Sequence, residues 1–415
     1  MSGFEEIFDT TIPYGKLGII ALPGTEDLSK SIDSYITGEH QRALREHHDE
    51  VASTLALNGY DKTTYIVDIS FPRFSTGEGK ATILQTVRGY DIFILCDCFN
   101  HGVTYKMYGK TVPMSPDDHY ANLKRAISAI AGKARRITVI MPMLYEGRQH
   151  KRASRESLDC ADMLHELCDV MGVDNLITFD AHDARVQNAI PLSGFENVRT
   201  CYQMIKALVK NVDDLHFDKD HLMFISPDEG GMSRCIYYSQ VLGVELGMFY
   251  KLRDYSRVVD GRNPIIAHEF LGHNIEGKDV IVVDDMISSG ESMIEVAKKL
   301  KELKAKRIFV FSSFGLFCNG LDNFDAAYKE GLIDKIFTTN LVYRMPELLE
   351  REWYCEVDLS KYVSYIIDTL NHDLSVSHLL EPKDRIKRFL LSKGFILEEK
   401  DEKEDNVTEE DTESK

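Results

Sequence analysis

Short apolar runs rich in β-branched residues recur along the chain, each followed by a polar cluster and then by a segment with helical spacing. They fall at 18–22, 64–69, 91–96, 137–141 and 176–179, and after about residue 193 the rhythm repeats at 222–225, 244–250, 280–283 and 308–311. Near-continuous apolar runs suit strands covered on both faces, and helical spacers suit the crossovers of a parallel sheet. The spacing predicts helices over 28–36, 120–130, 158–171, 202–209, from near Ser233, and over 293–300. The expected fold is therefore α/β: two similar domains, each a mostly parallel sheet flanked by helices. Residues 39–57 are helical in spacing but strongly charged, and read as part of a surface insertion over about 39–61. Its His47-His48 pair reads as solvated charge. In such sheets ligands bind beyond the carboxyl ends of the strands, where most of the polar clusters lie.

The most informative stretch is VIVVDDMISSGESMIEVAKKL, residues 280–300. Val280 to Val283 form a buried strand that runs into Asp284 and Asp285. Ser288, Ser289, Gly290, Glu291 and Ser292 are expected to form a tight loop before an amphipathic helix. Backbone N–H groups, serine hydroxyls and a helix start together favour an anion such as phosphate. Gly290 allows close approach of the backbone. The two acids suit the vicinal hydroxyls of a ribose, which donate hydrogen bonds to carboxylates. An ordinary helix N-cap uses the same Ser and Gly residues. The adjoining carboxylates favour the ligand site, because like charges side by side repel. Lys251 and Arg253 lie two apart at a strand end, which puts both on one side, able to close on phosphates or to face solvent on a hairpin stem. His182, two residues beyond Asp180 at another strand end, suits either a hydrogen-bonded core or a metal role. The basic run from Arg148 to Arg155 follows a buried strand and suits a triphosphate cradle or a solvated face.

Length and charge narrow the possibilities. The 415 residues suffice for two domains and a tail. The net charge is −18, and −7 of it sits in 398–415, where ten acids meet three lysines. That segment is expected to be disordered. The remaining −11 argues against broad nucleic-acid binding, which needs basic surface. The eight cysteines are scattered without CxxC pairs, which points to a reducing compartment and offers no zinc motif. The acidic start lacks the apolar run of a signal peptide. No stretch approaches the roughly 18 apolar residues of a membrane span. The expected setting is cytoplasmic, with no membrane partner.

Six segments, in collinear order, resemble the ribose-phosphate pyrophosphokinase family. Arg73-Phe74-Ser75-Thr76-Gly77-Glu78 is similar to its RFSDGE, and Arg148-Gln149 with the basic residues after it to its RQD segment. Asp180-Ala181-His182 with Gln187 is similar to DLH and its glutamine, and Ser226-Pro227-Asp228 with Gly230 and Gly231 to SPDxGG. Asn274-Ile275-Glu276-Gly277-Lys278 matches NIEGK, and 374–380 is similar to ESVSYLF. The stretch at 280–292 also resembles the ribose-5-phosphate loop of the phosphoribosyltransferase superfamily.

The resemblance implies two phosphoribosyltransferase-like (type I) domains, 1–192 on the ATP side and 193–381 on the ribose 5-phosphate side. The extension 382–415 then carries an amphipathic helix at 382–395, docking on a neighbour or capping the core, and the acidic tail. The implied activity moves the β,γ-diphosphoryl group of ATP to the 1-hydroxyl of ribose 5-phosphate with Mg2+, in a homo-oligomer of dimers up to a hexamer. By the same resemblance Phe74, Gly77, Glu78, Arg148 and Gln149 contact ATP, and Asp284, Asp285 and Ser288 to Ser292 contact the ribose phosphate. His182 and Asp228 are associated with metal, and Lys251 and Arg253 with catalysis. Thr76, His150, Ser288 and Glu291 depart from the usual pattern. The alternative is a non-catalytic, nucleotide-binding regulatory homologue. Retention of His182, Asp228, Lys251 and Arg253 favours the enzyme, and the departures favour the silent form. A transferase consuming the product needs only one such domain.

Overall fold

The protein is described from a computed structural model over residues 11–46, 50–152, 154–253 and 265–396. The first sheet is five parallel strands in sequential order: β1 (Lys16–Ala21), β2 (Tyr90–Leu95), β3 (Arg136–Ile140), β4 (Asn175–Phe179) and β5 (Gly194–Val198). The second has seven strands: β6 (Leu222–Ser226), β7 (Glu245–Arg253), β8 (Ile265–Leu271), β9 (Asp279–Ile287), β10 (Ile308–Gly315), β11 (Lys335–Thr339) and β12 (Tyr354–Val357). Their spatial order is β8-β7-β6-β9-β10-β11-β12, and the β7–β8 pair alone is antiparallel. Both sheets are thus parallel or nearly so, as the apolar runs require. Val280 to Val283 lie on the central strand β9 and are at most 3% exposed.

The helices used below are α1 (Glu26–Glu46), α2 (Glu50–Leu57), α3 (Cys201–Asn211), α4 (Met232–Leu242), α5 (Glu291–Glu302), α6 (Asp322–Lys329), α7 (Ser360–Asn371) and α8 (Lys383–Ser392). Three expectations change here. Residues 64–69 do not form a full strand: Ile19 donates to the Tyr65 carbonyl and Val67 to the Ile19 carbonyl, and the chain then leaves β1 so that Ile69–Ser70 pairs with Thr82–Ile83. β5 completes the first sheet, so that sheet reaches past residue 193; its half-buried polar positions carried no apolar run. The charged stretch after residue 38 is not a purely superficial insertion. It continues α1, and His40, Ala43, Leu55 and Tyr60 are buried while Arg45 and Glu46 face solvent. His47 and His48 lie outside the described residues.

The buried face of α1 meets α7 through a polar network. His40 Nε2 is 2.8 Å from Asp368 Oδ1, and its Nδ1 is 2.6 Å from the Tyr65 hydroxyl. The His40 ring stacks on Tyr60 at 3.9 Å, and the Tyr60 hydroxyl bonds His372. This ties the helix after β1 to the segment that follows the second sheet. Burial alone disfavours the Asp368 carboxylate, but the charges of His40 and His372 and the His40 hydrogen bond hold its pKa below the ordinary value. The sign follows: this stabilisation is present above the unfolded carboxylate value of about 3.9 and is lost as pH falls through the lower folded value. Removing one partner of a buried pair leaves the other uncompensated. His40→Ala is expected to cost about 3 kcal/mol in urea unfolding at pH 7, with a shallower acid dependence than the parent.

Ile386 and Leu390 of α8 are fully buried in the main core, and α8 packs on α3 and α4. The 382–395 segment therefore caps the core of its own chain. The acidic tail lies outside the described residues.

Candidate active site at the facing strand ends

β4 ends at Phe179, and Asp180 turns the chain with φ +37°, a conformation uncommon for a side chain larger than glycine. Its carboxylate is clamped: Oδ2 accepts from the Thr200 hydroxyl at 2.6 Å and from the Ser313 hydroxyl, on β10, at 2.5 Å. The turn carries His182 toward the second sheet. His182 Nδ1 is 2.8 Å from Asp285 Oδ2, so it pairs with Asp285 rather than with the nearer-in-sequence Asp180. Arg234 of α4 lies 3.5 Å from the same Asp285 oxygen and donates to the Ala181 carbonyl at 3.0 Å. The carboxyl ends of β4 and β9 are thereby cross-linked.

The two adjacent acids have different tasks. Successive side chains on a strand point to opposite faces. Asp284 accordingly lines a cleft of about 770 Å³, and Asp285 a smaller one of about 240 Å³. Burial, then the Asp285 charge and that of Asp228, push the Asp284 pKa well up. Burial opposes ionisation of Asp285 too, but the His182 hydrogen bond and the Arg234 charge override it and hold its pKa low. The pair divides its charge unequally: Asp285 carries it, and Asp284 keeps its proton more readily. The Asp285 hydrogen bond raises the His182 pKa against the opposing effect of burial.

Both clefts share Asp180, Ala181 and His182 as a common wall. Lys151, Arg185, Arg199 and Arg234 line the larger cleft beside Asp180, Asp183, Glu229 and Asp284, with Arg185 paired to Asp183. Arg148 and Gln149 line the smaller one, on a tight turn in which Gln149 donates to the Glu146 carbonyl at 2.8 Å. Four of the expected site residues (His182, Asp285, Arg148 and Gln149) therefore meet at the smaller cleft, with Asp284 on the other side of the same strand end. Asp228 sits at the end of β6, where its Oδ1 accepts from Gly230 and Gly231 at 2.9 and 3.3 Å and shapes the turn into α4.

The expected phosphate loop is shorter than its sequence suggested. β9 runs to Ile287, only Ser288, Ser289 and Gly290 form the turn, and Glu291 and Ser292 begin α5. The residues 288–292 line neither of the two clefts. Gly290 has φ +83°, and a Cβ there would meet the Phe324 ring of α6 at 2.2 Å, so packing demands glycine independently of any ligand. Gly290→Ala combines left-handed strain with overpacking and is expected to destabilise by about 2 kcal/mol in urea unfolding.

Phe74, Gly77 and Glu78 lie on a hairpin closed by the Arg73–Gly79 bridge and line neither cleft. Phe74 is 58% exposed, and Glu78 accepts from the Thr76 hydroxyl at 2.9 Å. Arg73 holds the hairpin through the Gly77 carbonyl at 2.9 Å and Asp118 at 3.1 Å. Lys251 and Arg253 fall on β7, opposite His268 and Ile265, with a register shift between Leu252 and Arg253. Their side chains, and residues 254–264, lie outside the described residues. Sequence reading missed Arg234, whose local signal was its position one turn into the helix after SPDEGG. It also missed the Thr200–Asp180–Ser313 clamp, which joins three segments distant in sequence and leaves no local signal.

Three family models match the chain: the N-terminal domain of ribose phosphate pyrophosphokinase at residues 18–172, the phosphoribosyl transferase domain at 194–315, and the phosphoribosyl synthetase-associated domain at 263–381. The ribose-phosphate pyrophosphokinase of Vibrio cholerae is 25% identical over 315 residues, 75% of this chain and 90% of that one. That of Mycoplasma pneumoniae is 27% identical over 277 residues, 66% and 76% of the two chains. The phosphoribosylpyrophosphate synthetase of Mycobacterium smegmatis has the same fold, with a TM-score of 0.64 at 17% identity over 86% of this chain and 99% of that one. Matched across both sheets and the segment that follows them, the chain belongs to the ribose-phosphate pyrophosphokinase family.

Proposed function

We propose that this protein is a ribose-phosphate diphosphokinase, transferring the β,γ-diphosphoryl group of ATP to the 1-hydroxyl of ribose 5-phosphate to give phosphoribosyl pyrophosphate and AMP. The observation that carries the reading is the His182–Asp285 bond, which brings the strand ends of two sheets together so that two clefts share one wall. The nucleotide belongs on the Arg148 and Gln149 side, within residues 1–192. The sugar phosphate belongs at the end of β9, within 193–381, with Asp284 and Asp285 accepting from ribose hydroxyls and Ser288 to Ser292 donating to the phosphate. Phe74, Gly77 and Glu78 remain ATP contacts in this proposal, on the resemblance of their segment.

In the reaction the sugar's 1-oxygen bonds to the β-phosphorus and gives up its proton to solvent, the bond between that phosphorus and the α,β-bridging oxygen breaks, and AMP leaves with that oxygen. Such transfers need in-line placement and charge neutralisation more than covalent help. Lys251 and Arg253 supply cations to the moving group, and a guanidinium grips two oxygens at once. Mg2+ is a hard cation that prefers oxygen and keeps several waters. The residues fit it: the Asp228 and Asp285 charges already press on Asp284, an arrangement that a dication relieves. Asp228 would hold the ion, with His182 acting through a coordinated water. Bound there, the ion neutralises phosphate charge.

A homo-oligomer built from dimers is part of the proposal, and light scattering on the purified protein measures it. A cytoplasmic setting is proposed too; all eight cysteines are unpaired thiols, as in a reducing compartment. Among the described residues no helix is long and apolar enough to cross a membrane. The function is tested by following AMP release from ATP. Release that requires both Mg2+ and ribose 5-phosphate is expected. No release at any phosphate concentration, with nucleotide binding retained, shifts the reading to the regulatory homologue.

A further inference from the structure

At the other end of the second sheet, the loop joining α3 to β6 gathers His216, Asp218 and His221, whose ligand atoms lie within 4.8 Å of one another. The loop alternates. Leu215 and Phe217 turn inward, Phe217 against Phe395 at 4.9 Å, and His216 and His221 stay exposed with their rings 4.7 Å apart. It is also held rigidly for a surface segment. Arg307 donates to the Asp213 and Asp214 carbonyls at 2.9 and 3.1 Å, and Asp279 N–H donates to the His221 carbonyl at 2.8 Å. Asp218 Oδ1 accepts the N–H groups of Asp220 and His221 at 3.0 Å and lies 2.7 Å from His221 Nδ1. Asp213, Asp214 and Asp220 add negative charge along the same loop, which carries Lys219 and whose carbonyls are reached by Arg307 and Lys278.

We propose that His216, Asp218 and His221 form a surface site for a borderline transition-metal dication, Zn2+ in the first instance. Two imidazoles and a carboxylate are a fitting set for zinc, with water completing the tetrahedron, whereas Mg2+ favours oxygen ligands alone. The ion takes the place of the His221–Asp218 hydrogen bond and draws His216 in. Leu222 pairs with Asp279, so the site lies at the amino end of β9, about 17 Å of strand from Asp284. It is separate from the catalytic clefts and serves to fasten the loop.

The test is calorimetric titration of Zn2+ into the metal-stripped full chain with a thiol-free reductant, in excess Mg2+ to occupy oxygen-rich sites. Wild type is expected to bind one more equivalent than the His216→Ala/His221→Ala double variant. Co2+ is expected to give visible d–d bands in wild type that the variant lacks. Zn2+ is expected to raise Tm in wild type alone, with AMP release unchanged by the substitutions. His216→Gln leaves the Asp218–His221 bond intact, so it keeps the test sound if the double variant folds poorly, and it is expected to weaken binding at least about 10-fold. Equal Zn2+ stoichiometry and affinity in wild type and His216→Gln overturn the site.

Discussion

Asp285→Asn is expected to lower kcat/KM for ribose 5-phosphate by about 10²-fold or more, the scale of losing one preorganised polar contact to the reacting ligand. The reason is geometric as much as electrostatic. The Asp285 charge is one of the groups that keep Asp284 protonated. With that charge gone, Asp284 ionises more readily, and the negative charge moves to the opposite face of β9. His182 simultaneously exchanges a carboxylate acceptor for a neutral amide oxygen, so its titration followed by NMR should move down toward about 6.5. In the parent, this raised pKa contributes stability that is complete below the unfolded value and lost as pH rises through the higher folded one. The variant should lack that dependence. Unchanged kinetics together with an unchanged His182 titration would show that the inter-sheet bond has no part in the site.

Lys251→Ala is expected to reduce turnover by at least about 10²-fold while ATP still binds, since a cation that meets the phosphates as they transfer is missed mainly in the transition state. The backbone supports this placement. Ser226, the last residue of β6, pairs with Met248 of β7, so Lys251 lies three residues past the last β6 pairing, toward the carboxyl edge of the sheet, about 10 Å further along. That edge is the one that carries Asp228. Turnover equal to wild type in this variant removes Lys251 from the mechanism.

Much of this was readable beforehand because it depends on local pattern. The runs at 91–96 and 280–283 read as strands buried on both faces, and the SPDEGG and DAH clusters sit at strand ends because polar groups gather where a parallel sheet opens. What could not be read depends on tertiary partners. His40 looked like part of a charged surface helix, and only the approach of α7, more than 300 residues later, makes it a buried partner of Asp368. Gly290 looked like a concession to phosphate, whereas Phe324 already requires it. The Ser313 arm of the clamp on Asp180 and the pairing of His182 with Asp285 join segments 103 residues and more apart, beyond the reach of any motif.

The most direct measurement is a crystal structure of the protein with AMP and ribose 5-phosphate bound together. Ribose hydroxyls within hydrogen-bond distance of Asp284 and Asp285, with the nucleotide against Arg148 and Gln149, is the predicted result. The nucleotide away from Arg148 and Gln149, or the sugar phosphate away from the end of β9, would contradict a transfer between two sheets joined by His182 and Asp285.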